Sequence, residues 1–132
     1  MDYKELVLKA LGARENSYSP YSKFKVGAAV LTENDLIYTG CNIENASYGA
    51  TNCAERTAIF KAVSEGHTTI KAIAIVGDTT THTYPCGICR QVIAEFSTET
   101  TDIILVKNEN DYIVKTMDEI LPGAFTKKDL FK

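Results

Sequence analysis

Ile70-Lys71-Ala72-Ile73-Ala74-Ile75-Val76 places six apolar residues in seven positions and shows no alternation. A run of this length, apolar on both faces, reads as a strand buried on both sides, as in a sheet covered by helices front and back. The neighbouring segments fit that setting. On the N-terminal side a helix is expected to start near Cys53, to turn Ala54, Ala58 and Ala62 inward, and to stop at Gly66. On the C-terminal side a loop over residues 79–85 leads into a helix over 87–96, with Cys89, Val92, Ile93 and Phe96 on one stripe. Residues 103–106 are a second buried strand, and the segment 107–111 is too short to hold a helix. Residues 112–115 therefore return antiparallel.

Further upstream, residues 26–31 and 36–38 read as two strands joined at Glu33-Asn34-Asp35, a hairpin. Residues 40–52, rich in Asn, Gly and Ser, and the stretch around Ser19-Pro20-Tyr21-Ser22 are loops. Residues 3–16 form a helix in this reading, with Asp2 and Glu5 at capping-box spacing and Leu6, Ala10 and Ala13 on one face. The order α-β-β-α-β-α-β-β with a short helical tail predicts an α/β fold. It is a three-layer α-β-α sandwich around a five-stranded mixed sheet, the last two strands antiparallel.

The 132 residues suit a single domain over 1–132, and 45% hydrophobic residues are enough for an ordinary core. The net charge of -3, with no long basic run, argues against binding nucleic acid and suits a small uncharged substrate. No segment is long and apolar enough to span a membrane, and charges interrupt the apolar residues of the first stretch, so no signal peptide is read. The expected location is cytoplasmic, where the four cysteines stay reduced and are better suited to metal than to disulfides.

Two segments carry the chemistry: Asn52-Cys53-Ala54-Glu55-Arg56 and Tyr84-Pro85-Cys86-Gly87-Ile88-Cys89-Arg90-Gln91. Cys86 and Cys89 have C-x-x-C spacing at a helix start, where positions i and i+3 share a face. Cys53 also opens a helix, and the positive end of a helix favours thiolate over thiol. Two such ends facing each other would hold three thiolates around one Zn²⁺, one per chain. Three protein ligands leave a fourth position for water, the arrangement of a catalytic zinc. Glu55, two residues past Cys53, is then a general acid/base candidate that does not ligate the metal. Plainer readings stand beside this one. The C-x-x-C pair could be redox-active, Cys41 could complete a closed Cys₄ site or simply pack as a small apolar residue, and Glu55 could be an acid favoured by the helix dipole.

The combination of C-A-E with P-C-x-x-C resembles the zinc nucleoside and nucleobase deaminases. Finer detail is similar to the small, homotetrameric cytidine deaminases. The stretches that carry the likeness are Y-S-P-Y-S-K-F-K-V-G-A-A, G-C-N-I-E-N-A-S-Y, N-C-A-E-R-T-A, P-C-G-I-C-R-Q-V and the P-G-A-F after Ile120-Leu121. The likeness runs from about Lys4 to Leu130. It implies zinc-dependent hydrolytic deamination of cytidine and 2'-deoxycytidine, as in pyrimidine salvage, with Cys53, Cys86 and Cys89 as ligands and Glu55 as proton shuttle. It further implies that Asn42 and Glu44 bond the ribose hydroxyls. The same resemblance implies Phe24 beside the base, the Ala54 amide at the base edge, and Arg56 bonded to the ligand sulfurs. It also implies a homotetramer with shared active sites, Tyr48 near the interface and Phe125 reaching a neighbour's pocket. The rival readings are a deaminase of a modified cytosine nucleoside such as blasticidin S, and a zinc-stabilised binding module. Arg90, His67 and His82 receive no role.

Overall fold

The computed structural model describes residues 2–131. The strands are β1 (Gly27–Thr32), β2 (Ile37–Cys41), β3 (Ile70–Val76), β4 (Ser97–Asn108) and β5 (Asp111–Lys115). The helices are α1 (Lys4–Arg14), α2 (Ala54–Ser64), α3 (Gly87–Phe96), α4 (Met117–Ile120) and α5 (Lys127–Leu130). The sheet order is β2-β1-β3-β4-β5. Only β3 and β4 run parallel; β1 with β2, β1 with β3, and β4 with β5 are antiparallel.

β3 occupies the middle of the sheet, and every residue in it except Lys71 is buried. Its two faces explain the unbroken apolar run. Ile73 and Ile75 pack with Ala28, Val30, Ile103 and Leu105 under α2 and α3, in contact with Ala54, Ala58, Ile59 and Ile93. Ala72, Ala74 and Val76 face the other way, with Ala29, Ile104 and Val106, against Leu6, Val7 and Ala10 of α1. This is the predicted α-β-α sandwich. At about 1.5–3 kcal/mol for each fully buried large aliphatic side chain, the two faces together are the main source of stability.

Packing of α2 on the sheet depends on small residues. Ala54, Ala58 and Ala62 are fully buried, and Gly40 in β2 lies directly beneath the helix. A Cβ at Gly40 would stand 2.5 Å from the Ala58 nitrogen and 2.7 Å from the Ala54 oxygen. No side chain fits between backbones at that distance, so glycine there sets how close the helix start comes to the sheet. The helix ends as expected: Gly66 has φ +95°, and the His67 amide returns to the Ala62 carbonyl at 2.9 Å.

Four local features depart from the sequence reading. β2 runs on to Cys41, because its residues pair with β1 as far as Gly27. β4 begins at Ser97, well before its apolar core, with a register shift between Ile70 and Ala72 of its partner; its first half is polar, so hydropathy alone could not reveal it. The tail holds two short helices, each with a capping box, Thr116 with Glu119 and Thr126 with Asp129. At α1 the expected capping box is absent. Tyr3 is the N-cap residue, Asp2 accepts from the Lys4 amide at 3.0 Å, and Val7 rather than Ala13 joins the buried face.

The reason lies in tertiary structure. The Tyr3 ring is buried against the sheet and its hydroxyl donates to the Asp102 carboxylate on β4. Burial, the hydrogen bond to Asp102 and the charge of that carboxylate push the Tyr3 phenol up to about 12. Tyr3→Phe is expected to lower the free energy of unfolding by about 1–2 kcal/mol near neutral pH, because Asp102 loses its donor. The folded-state value lies above the ordinary 10.0, so this stabilisation is complete below that pH and fades as pH rises toward 12. Urea unfolding of both proteins at about pH 8 and about pH 11 should show the difference shrinking at the higher pH.

Candidate active site

Two helix starts build the centre. Cys53 is the N-cap residue of α2 and Cys86 that of α3, both with extended backbone. Cys89 lies in the first turn of α3 and is fully buried. α2 leads into β3 and α3 follows it, so both helices begin at the same end of that strand. The three sulfurs lie within 4.8 Å of one another, and Cys53 Sγ is 3.7 Å from Cys86 Sγ. Zinc–sulfur bonds of about 2.3 Å in a tetrahedron require sulfurs about 3.8 Å apart, so spacing and donor type both fit zinc. Cys41 stands outside this group, at the end of β2, and burial raises its thiol. Neither histidine belongs to it: His67 lies against the Tyr38 ring, and His82 pairs with Asp111 at 2.9 Å.

The charges around the sulfurs are ordered. A hydrogen bond from Cys89 and the Arg56 guanidinium hold the Cys53 thiol down at about 5. Cys89 is pushed strongly upward, first by its hydrogen bond to Cys53 and then by burial. A bound metal cation would hold both as thiolates. Arg56 Nη2 is 3.4 Å from Cys53 Sγ and 3.4 Å from the Thr51 carbonyl, while its buried Nε has no hydrogen-bond partner. Glu55 is 4% exposed, unusual for an acid with no cationic partner in an ion pair, and burial raises its carboxyl to about 7. The Cys53 charge adds to that rise, and hydrogen bonds, one of them involving Cys89, oppose it.

A second group sits on the loop before α2. The Asn42 side chain is buried and ties three segments together: Oδ1 accepts from Val26 N–H at 2.9 Å and from the Ser17 hydroxyl, and Nδ2 donates to the Phe24 carbonyl at 2.8 Å. Glu44 Oε1 accepts from the Tyr21 and Ser22 amides at 3.0 and 3.1 Å, and Oε2 from the Ser22 hydroxyl. These bonds, the Ser22 hydroxyl first, hold the Glu44 carboxyl below its usual range. Reciprocal bonds of 2.9 Å between Ile43 and Asn52 zip this loop onto the residue preceding Cys53. The two groups are therefore joined by backbone. A cavity of about 380 Å³ opens among Tyr21, Ser22, Glu44, Tyr48 and Thr51.

Phe24 rests on bare backbone. A Cβ at Gly77, just past β3, would come within 2.7 Å of Phe24 Cζ and 2.8 Å of Thr83 Oγ1, and the Gly77 amide donates to that hydroxyl at 2.8 Å. Two expected site residues project from the chain: Tyr48 is 77% exposed, touching Tyr21 edge-on at 6.1 Å, and Phe125 is 60% exposed. A larger cavity, about 720 Å³, lies under the tail between Ala94, Met117 and Lys127 and includes none of the candidate residues. Arg90, given no role from sequence, bonds the Pro85 carbonyl at 2.8 Å and the Ile120 carbonyl at 2.6 Å. Its partners are carbonyls, which leave no trace in a sequence.

Residues 1–107 match the family described as the cytidine and deoxycytidylate deaminase zinc-binding region. The chain belongs to that family of zinc-binding deaminases. It is similar to individual cytidine deaminases along nearly its whole length. It is 53% identical to that of Sporosarcina psychrophila, over 98% of this chain and 96% of the other. It is 52% identical to that of Halalkalibacterium halodurans, over 98% of each. The crystal structure of cytidine deaminase from Burkholderia pseudomallei superposes with a TM-score of 0.89 at 46% identity, covering 95% of this chain and 100% of that one.

The sulfur geometry yields a direct expectation. Cys53→Ala, Cys86→Ala and Cys89→Ala should each be purified with little or no zinc, while Cys41→Ala should keep one zinc per chain. Metal analysis of the four proteins checks this, and zinc loss from Cys41→Ala equal to the others would point to a closed four-thiolate site.

Proposed function

We propose that this chain is a zinc-dependent hydrolase that converts cytidine and 2'-deoxycytidine, with water, to uridine and 2'-deoxyuridine and ammonia. The observation that carries the proposal is a three-cysteine cluster with a buried carboxylic acid, Glu55, on the same helix start. Full-length identity above 50% to cytidine deaminases supports the choice of nucleoside.

In this reading Cys53, Cys86 and Cys89 hold the ion, and the three thiolates supply the donor set. Bound zinc with one open position would make a water molecule acidic enough to react near neutral pH. With water as the attacking group at C4, Glu55 would accept one of its protons and pass it to N3 of cytosine, then accept the proton of the new C4 hydroxyl and pass it to the amino group; the C4–N bond breaks as the C4 carbonyl forms, and ammonia leaves. Three thiolates overcompensate a divalent cation by about one charge; Arg56, bonded to Cys53 Sγ, offsets the excess. The Ala54 amide, at the first position of α2, has no acceptor within its helix and is free to meet the base edge.

The loop group binds the sugar. Asn42 retains an amide hydrogen, and Glu44, held ionised, retains acceptor capacity on both oxygens for ribose hydroxyls. Phe24, seated on Gly77, flanks the base. Phe125 is too exposed to be packed within its own chain, and Tyr48 likewise. Both are assigned to contacts between chains of a homotetramer with shared active sites, where the aromatic ring of Phe125 covers a neighbour's pyrimidine and excludes water. Residues 1–132 work as one domain, cytoplasmic and acting in pyrimidine salvage. The unpaired thiols suit a reducing compartment, and no helix among the described residues is long and apolar enough to cross a membrane.

Glu55→Gln should retain zinc and fold while losing about 10²–10⁴-fold in turnover, because the amide cannot carry the proton. Ammonia release from cytidine, deoxycytidine, cytosine and blasticidin S, with zinc content measured in parallel, checks this. Turnover of blasticidin S alone would overturn the choice of substrate, and zinc-replete protein inert toward all four would indicate a binding module.

The shared site is checked by complementation. Glu55→Ala and Phe125→Ala proteins should each be weak. Mixed under conditions shown to exchange subunits, some sites would combine an intact Glu55 from one chain with an intact Phe125 from another. Activity should rise well above the sum of the parents; verified exchange without a rise would refute the sharing.

A further inference from the structure

Arg90 stands between two parts of the chain that are remote in sequence. Its own amide bonds the Cys86 carbonyl at 2.9 Å, the first bond of α3, and its Nε donates to the Pro85 carbonyl at 2.8 Å. The residue therefore grips the peptides on both sides of Cys86, and it is the immediate neighbour of Cys89. From the other side of the guanidinium, Nη1 donates to the carbonyl of Ile120 at 2.6 Å, at the end of α4. The next residue, Gln91, donates from Nε2 to the Phe125 carbonyl at 2.7 Å. Two consecutive residues of the metal-bearing helix thus hold both ends of the segment from Ile120 to Phe125. Among the described residues Arg90 forms no ion pair with a carboxylate, so its charge is directed to backbone carbonyls. A lysine carries its three donors on a single nitrogen, whereas Arg90 meets the two carbonyls from two separate nitrogens, Nε and Nη1, held apart by the planar guanidinium.

Between these two anchors the segment contains Pro122-Gly123, with Gly123 at φ +64°, and Phe125 emerges from it exposed. The only large side chain it buries deeply is Ile120, which packs in the same core as Ile93 of α3 and Ala54 of α2. Backbone bonds to Thr116 and Met117 hold its start, and the two side-chain bonds from α3 tie it to the helix that carries Cys89.

We infer that Arg90 is a positioning residue that couples the Cys86 turn to the C-terminal segment, so that an occupied metal site and an ordered Ile120–Phe125 stretch reinforce each other. The inference rests on the reading of Cys53, Cys86 and Cys89 as the zinc ligands. Because coupling is reciprocal, loosening the segment must also loosen the metal, even through a residue that touches no ligand. Gln91 is such a residue, and its side chain is exposed, so its replacement leaves the core intact.

The test uses zinc-loaded protein and three variants, Gln91→Ala, Arg90→Met and Arg90→Lys. The first readout is the rate of zinc transfer to a chromogenic chelator. Gln91→Ala and Arg90→Met should each release zinc about 5-fold faster or more, the lower end of ordinary coupling, and Arg90→Lys should recover only part of the loss. The second readout is amide hydrogen exchange: in zinc-loaded Gln91→Ala, exchange should rise both in residues 117–127 and in residues 84–89. A role confined to the tail would raise exchange only in 117–127 and leave zinc release unchanged in Gln91→Ala, and that result would overturn the inference even if Arg90→Met failed to fold. Zinc retained by Cys86→Ala would instead overturn the underlying ligand assignment.

Discussion

Everything at the site depends on bringing two helix N-termini to one point. A helix end presents unsatisfied amides and partial positive charge, and two such ends would repel unless something negative lay between them. Cys53 and Cys86 are the N-cap residues of α2 and α3, and neither uses its side chain to cap its helix. Their sulfurs, with Cys89, fill the gap between the helices. The helices can meet only because one precedes and the other follows the same central strand. The burial of β3 on both faces is thus what locates the chemistry.

The centre then has to manage charge in a setting that is buried at Cys89 and open at Cys86. Cys89 is fully buried, Glu55 nearly so, and Cys53 is half-buried. Burial acts in one direction on these acids, toward the neutral form, and Arg56 acts in the other by standing beside Cys53. Glu55 differs from every other acid in the described chain in being buried, and it is on the helix whose first residue lies against Gly40. Adding a methyl group at position 40 would push on the backbone of that helix, so a glycine on an outer strand helps to define the position of an acid on the layer above.

The loop that carries Asn42 and Glu44 shows how a polar segment becomes rigid without forming regular structure. Asn42 bonds Ser17, Phe24 and Val26; Glu44 bonds Tyr21 and Ser22; Ile43 pairs with both Asn52 and Tyr18. Most of the Asn42 and Glu44 contacts are with backbone groups, so the loop is shaped by the side chains it presents. The same economy holds at α3, where Arg90 and Gln91 bond carbonyls of the tail.

Local and periodic features were legible in the amino-acid sequence. The apolar run over 70–76, the helix starts at Cys53 and Cys86, the stop at Gly66 and the hairpin at Asp35 all follow from periodicity and turn chemistry, which act over a few residues. The clustering of the three cysteines was legible as well, because ligand spacing at a helix start is a local property. What lay beyond its reach involves partners distant in the chain. The Tyr3 hydroxyl meets Asp102, strand β4 starts early because Ser97 pairs with Ile70 ahead of the shifted register, and Arg90 bonds carbonyls that any residue could provide. By itself the sequence determined most of the elements and the three cysteines that come together. Only the tertiary structure decided which backbone groups those side chains would meet, because a carbonyl or an amide acquires its identity as a partner only from its position in space.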